Sequence, residues 1–239
     1  MRVRVGTSGF SYDAWNGSFY PPGTKPAARL AFYATRLDSV EINNTFYRMP
    51  RVELLEKWRD DVPEGFVFVL KAPQRITHVK RLSAKAAEDV AFLVEVSAIL
   101  GARRGPFLFQ TPPAFRKDAG RLREFLGCLP EGVRAAFEFR HESWQDADVR
   151  AALADKGAAL CVADTDETEP PSVVATARFG YLRLRRAEYD THALESWAER
   201  VLAQPWDEAF VFFKHEDEGR GPALAEEFRR AVDARRGGG

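Results

Sequence analysis

Arg134-Ala135-Ala136-Phe137-Glu138-Phe139-Arg140 is a short apolar run that closes on charged residues, and it is one of eight along the chain. The others are Val3–Gly6, Val40–Asn43, Phe66–Lys71, Pro106–Gln110, Ala158–Asp164, Gly180–Arg185 and Ala209–Lys214. Helix-length patterns or long loops lie between them. Strands alternating with helices build parallel sheets from βαβ units. Eight such units in 239 residues match a closed (β/α)8 barrel, a fold of about 250 residues. The fold class expected is therefore α/β, a single-domain TIM-type barrel over residues 1–236, with a flexible Gly tail at 237–239.

Helix signals fall where this plan needs them. Lys25–Leu37 has Pro26 near its first position and Leu30, Tyr33, Ala34 and Leu37 at helical spacing. Ser83 precedes an Ala/Val/Leu helix ending near Gly101. Asp118–Gly127, Asp146–Lys156, Thr191–Ala203 and Pro222–Arg235 read likewise, and Pro63 with Gly65 marks the step into the third strand. The sixth unit is irregular: Asp164–Ala177 contains Pro170 and Pro171 and has no helical period, so a long loop is expected.

Bulk properties exclude several function classes. Hydrophobic residues make up 45% of the chain, ample for one core. Basic and acidic residues number 35 each, so no global field draws the protein to nucleic acid or an acidic membrane. Cys128 and Cys161 lie far apart, which fits a reducing compartment. The chain opens directly into a strand with no leader, and no apolar stretch approaches the roughly 18 residues of a membrane span. The expectation is a cytoplasmic protein without nucleic-acid or membrane partners.

In a parallel barrel the carboxyl ends of the strands form the functional face. Alternation decides which residues turn toward the axis. Glu41 and Asn43 share one face of the second strand, Glu138 and Arg140 of the fifth, Arg183 and Arg185 of the seventh. Lys71 closes the third strand, Gln110 the fourth, Asp164 the sixth and Lys214 the eighth. Burying isolated charges is costly, so these groups either pair into a lattice or line a solvated pocket. Clustering at one rim favours the pocket.

The ring mixes carboxylates Glu41, Glu138, Asp164 and Asp217 with cations Lys71, Arg140, Arg183 and Lys214, and His141 and His215 lie nearby. A divalent metal prefers carboxylates and imidazoles without interleaved cations, and no H-x-H, H-E-x-x-H or cysteine cluster is present. No metal and no cofactor is therefore expected. Interleaved cations suit a small phosphate- or carboxylate-bearing ligand. The loop Lys214–Pro222, with Gly219 and Gly221 before a helix start, is a weaker sign of an anion site. Of the loop aromatics, Tyr12, Tyr47 and Trp144 are the candidates for ligand contact because each has a polar handle; the rest read as packing.

The same segments carry a family resemblance. Gly6-Thr7-Ser8-Gly9-Phe10-Ser11-Tyr12 with Trp15-Asn16-Gly17 and Phe19-Tyr20-Pro21 resembles the opening signature of the YecE-like family, domain of unknown function 72. Val40–Arg48, Lys71-Ala72 with Ile76-Thr77-His78, Phe109–Pro113 and Phe137–Trp144 are similar to its later motifs. The resemblance covers essentially the whole chain and implies a single-domain TIM-type barrel, with no established catalytic residues. One departure stands out. Many members have Arg-x-His-Gly at the seventh strand and Asn-rich residues after the eighth, where this chain has Arg183-Leu184-Arg185-Arg186 and Phe213-Lys214-His215-Glu216.

The leading functional expectation is a metal-independent acid/base enzyme acting on a small anionic substrate. Arg140, Arg183 and Lys214 would clamp the anion, Glu138 or Glu41 would exchange the proton, and Lys71 or His141 would stabilise developing charge. Asn43, Gln110, Tyr12, Tyr47, Trp144 and Asp164 would complete the substrate site. Arg140, two residues beyond Glu138, is expected to hold that carboxylate ionised. Three alternatives remain open: a metal-assisted hydrolase or isomerase of endonuclease-IV or xylose-isomerase type using Glu41, Glu138, Asp164, His141 and His215; a carbohydrate-active enzyme; and a non-catalytic sensor.

Overall fold

The computed structural model describes residues 1–237; Gly238 and Gly239, part of the expected Gly tail, lie outside them. Eight parallel strands close into a barrel in sequence order, β1 pairing with β8. They are β1 (Arg2–Ser8), β2 (Ser39–Ile42), β3 (Val67–Lys71), β4 (Arg104–Gln110), β5 (Ala135–Glu138), β6 (Ala159–Asp164), β7 (Phe179–Leu184) and β8 (Glu208–Phe213). Around them run α1 (Pro26–Arg36), α2 (Val52–Asp60), α3 (Ala87–Ser97), α4 (Ala119–Gly127), α5 (Ala147–Lys156), α6 (Thr191–Leu202) and α7 (Arg220–Gly237). Gly237 is the last residue of α7.

Caps account for several helix starts. The side chains of Asp118, Asp146 and Asp190 accept hydrogen bonds from the backbone N–H of Arg121, Asp148 and Ala193. Each satisfies a donor that the first helical turn leaves free. The segment read as one helix from Ser83 to Gly101 is instead divided: a single 3-10 turn, then α3, then 3-10 turns to Arg103, with Gly101 at φ 55°. Between β6 and β7 no helix forms, because Pro170 and Pro171 each lack an N–H.

Alternation along the strands separates two cores. One side of the strands packs on the helices, with Phe68, Phe109, Phe137, Leu182 and Phe213 buried there. The other side fills the barrel axis with Val67, Val69, Leu108, Ala136, Cys161, Tyr181, Phe210 and Phe212. At the amino end Glu208 joins two arginines, Arg4 and Arg134 (2.6 Å to Arg134), while at the carboxyl end the axis becomes polar again. Closure of the barrel at β1 and β2 depends on Gly6. A Cβ there would stand 1.9 Å from the Ser39 carbonyl oxygen. Gly6→Ala is thus expected to destabilise the fold by about 3 kcal/mol, the upper range for overpacking, measured by chemical denaturation.

Candidate active site

At the carboxyl mouth a single guanidinium organises the polar groups. Arg183 on β7 is buried and reaches across the barrel, donating from Nη2 to Glu41 Oε1 at 2.9 Å and from Nη1 to Glu138 Oε2 at 2.6 Å. Glu41 also accepts from the Ser8 hydroxyl at 2.7 Å and the Tyr181 hydroxyl at 2.6 Å. Glu138 accepts from Arg185 Nη2 at 3.0 Å through its other oxygen. Strands β1, β2, β5 and β7 thus converge on one lattice of two carboxylates and two guanidinium groups.

Electrostatics follow from that arrangement. Burial pushes the Glu138 carboxyl up, but Arg183 and Arg185, with a smaller contribution from the Gln110 amide, hold it at about 2. For Arg183, burial works against its charge, and Glu41 and Glu138 more than offset this. Lys71 behaves oppositely. Burial, then the positive charge of Arg183, lowers its ammonium to about 8 despite an attraction to Glu41 and Glu138. Its Nζ lies 4.3 Å from the centre of the Phe46 ring and makes no ion pair among the described residues. The amine is left apart because the carboxylates are already engaged.

Several expected site residues take other places. Arg140 does not hold Glu138: β5 ends at Glu138, and Phe139 leaves the strand to stack on Trp144 at 4.3 Å, so Arg140 emerges into solvent. Arg183 cannot clamp a substrate through its two terminal nitrogens while both bind carboxylates. Its Nε–H and that of Arg185 are buried without partners. Asp164 turns away from the axis, with Val162, toward α6. There it accepts from Tyr189 at 2.8 Å, Trp197 at 3.2 Å and Arg186 at 2.7 Å. Trp144 is buried under the loops and donates its indole N–H to the Phe115 carbonyl at 2.6 Å, so its polar handle holds the fold.

The remaining candidates sit around the rim. Tyr12 donates to the Ser8 carbonyl at 2.7 Å, and its hydroxyl is pushed up by burial and by the charges of Glu216 and Glu41. Asn43 precedes the 3-10 turn Asn44–Phe46 and is half-buried. Tyr47 is 74% exposed. Lys214 is exposed and 3.9 Å from Glu216. His141 accepts the Ser143 N–H through Nδ1, capping a turn, while His215 contacts the Arg186 carbonyl through Nε2. Of the residues of the metal alternative, Asp164, His141 and His215 therefore do not join Glu41 and Glu138, and no group of three such side chains among the described residues is arranged as a metal site.

Sequence reading missed Ser8, Tyr181 and Phe46. Ser8 lies two residues beyond Gly6, and Tyr181 two before Arg183, so alternation places both beside the charges. Two clefts lie outside the mouth. One, of about 540 Å³, is largely apolar and is bordered by Met49, Leu54 and Trp58; the other, of about 360 Å³, lies between the Asp164 loop and α6. Neither is lined by Glu41, Lys71, Glu138 or Arg183. Glu41, Lys71, Glu138, Arg183 and Arg185 gather instead at the mouth.

The sequence pattern of the family described as "Protein of unknown function DUF72" matches residues 4–238. The chain belongs to that family. It is 32% identical over 134 residues to the UPF0759 protein YunF of Bacillus subtilis (strain 168), spanning 53% of this chain and 48% of that protein. It is also 32% identical over 115 residues to the UPF0759 protein YecE of Escherichia coli (strain K12), spanning 47% and 41%. The chain thus matches about half the length of these curated relatives. The crystal structure of a DUF72 family protein from Thermotoga maritima MSB8 superposes with a TM-score of 0.85 at 26% identity, over 98% of this chain and 100% of that one. A DUF72 family protein from Enterococcus faecalis V583 shares the fold at a TM-score of 0.77 and 19% identity. No helix among the described residues is long and apolar enough to cross a membrane.

The lattice makes opposite predictions for two of its neighbours. Glu138→Gln leaves Arg183 and Arg185 short of a charge partner and should cost roughly 3–5 kcal/mol in denaturant unfolding, the range for one orphaned buried partner. A depressed carboxyl pKa contributes stability above the unfolded value, so the contribution should vanish as pH falls from 4.5 toward about 2. Lys71→Met should stabilise the protein below pH 8, where the fold holds the ammonium at a cost. The two proteins should converge as pH rises from about 8 through the ordinary lysine value of 10.5.

Proposed function

We propose that this barrel is an acid/base enzyme acting on a small anionic substrate at the carboxyl mouth, with Lys71 as the group that exchanges the proton. The observation that carries this reading is the charge left over at the mouth. Glu41 and Glu138 are balanced by Arg183 and Arg185, while Lys71 and Arg140 make no ion pair among the described residues and Lys214 is only loosely opposed by Glu216. Lys71 and Arg140 are therefore cations without a protein counter-ion, and an anion is the ligand that such groups favour.

The geometry also shifts the proton-transfer role away from the carboxylates. A carboxyl held at about 2 is a weak base and stays ionised at neutral pH, so Glu138 is suited to holding Arg183 in place rather than to moving protons. Lys71, at about 8, is near the pH at which a catalytic acid or base works best. The two unpaired thiols, Cys128 and Cys161, support a reducing, cytoplasmic setting for such a reaction.

Isothermal titration with inorganic phosphate tests the anion site. Lys71→Met and Arg140→Met should each weaken binding by one to a few kcal/mol, the range for a charge-assisted bond, while neither lowers the melting midpoint. Unchanged affinity in both variants and in Lys214→Met would overturn the reading.

A further inference from the structure

One amine at the mouth stands outside the ion-pair lattice. Lys71 ends β3 half-buried, and its backbone carbonyl accepts the Thr45 hydroxyl at 2.6 Å, which ties it to the loop carrying Phe46. The Phe46 ring lies under its Nζ at 4.3 Å. Each oxygen of Glu41 and of Glu138 already accepts from Arg183, Arg185, Ser8 or Tyr181. A half-buried lysine that pairs with no carboxylate and lies in the field of Arg183 is the arrangement that frees an amine for nucleophilic attack. The depressed ammonium of Lys71, at about 8, agrees with this geometry.

We propose that Lys71 is a nucleophile that forms a Schiff base with a small carbonyl-bearing anion of the 2-oxo acid class. This rests on the anion-binding reading, names its substrate class, and passes the proton transfers from Lys71 to a neighbour. The neutral Nζ attacks the carbonyl carbon, and the C–N bond forms as the C=O π pair moves to oxygen. That oxygen takes a proton while the nitrogen loses one, giving a carbinolamine. The hydroxyl then leaves as water with a second proton, the nitrogen lone pair closes the C=N bond, and the nitrogen gives up its remaining proton. Amine plus carbonyl gives imine plus water, with nothing oxidised or reduced.

A neighbouring group fits the proton transfers. His78 packs edge-on to the same Phe46 ring, centroids 4.9 Å apart, with the Thr77 hydroxyl 2.8 Å from its Nδ1. Burial, then the charges of Lys71 and Arg140, lowers the imidazole below its ordinary value, so at neutral pH it is uncharged and free to accept a proton. The substrate carboxylate would lie against the surplus cations of the rim, Arg140 and Lys214.

The test is reductive trapping. The protein is incubated with glyoxylate or pyruvate and sodium cyanoborohydride at pH 7.5, digested and mapped by mass spectrometry. Lys71 should be alkylated about tenfold or more faster than the exposed Lys25, because far more of its amine is neutral at that pH. Lys71→Arg should lose the selective adduct at an unchanged melting midpoint. On the unaltered protein, the trapping rate at Lys71 should rise through pH 8; a rate that climbs only above pH 9, or no preference over Lys25, overturns the inference. Lactate, which has no carbonyl to attack, separates the two readings by calorimetry. Lactate bound with no Lys71 adduct removes the Schiff base and leaves the anion site standing, whereas neither lactate nor pyruvate bound removes both.

Discussion

The carboxyl mouth depends on Arg183. Two buried carboxylates facing one another across a barrel would repel and lower each other's tendency to ionise, and each alone would be costly to desolvate. One planar guanidinium, always charged, resolves this by offering a separate terminal nitrogen to each, Nη2 to Glu41 and Nη1 to Glu138. Lysine at this position would supply one compact charge and could not span the pair. The bridge links β2, β5 and β7, which are not neighbours in the sheet, so it fixes the geometry of the rim as well as its charge.

The chemistry of the remaining groups is a consequence of that bridge. With both carboxylates engaged, Lys71 has no anion to pair with and rests instead on the Phe46 ring. The attraction of an ammonium for an aromatic face is worth roughly 0.5–2 kcal/mol, less than a buried ion pair returns, so the ring tolerates the charge without holding the proton firmly. Arg185 adds a second cation to Glu138, which deepens the ionisation of that carboxylate and leaves the lattice neutral. In the proposed reading, cations outlying a neutral lattice would draw anions to its edge while its centre stays shut to them.

The barrel itself was legible in the sequence because its signals are local. Each strand is a short apolar run, each charged strand end follows in the next residue or two, and the prolines of the sixth unit announce a missing helix. Alternation also placed Glu41, Glu138 and Arg183 on the axis side of their strands. What it did not reveal was the pairing, since partners from strands two, five and seven meet only after closure. Arg140 failed as a partner because alternation holds only while the strand lasts, and stacking of Phe139 on Trp144 ends it at Glu138. Asp164 follows Cys161 by three residues, an odd step, and so faces α6; its polarity hid that count. Tyr12 and Trp144 have polar handles, but both donate to backbone carbonyls, those of Ser8 and Phe115.

The central claim is that Arg183 holds both carboxylates and thereby frees the Lys71 amine. The most direct measurement is the titration of the Lys71 side chain by heteronuclear NMR, following the carbon next to Nζ from pH 6 to 12. The account predicts a midpoint near 8, well below the ordinary lysine value. A midpoint at the ordinary lysine value of about 10.4 would show that the amine has a counter-ion after all, and would contradict it.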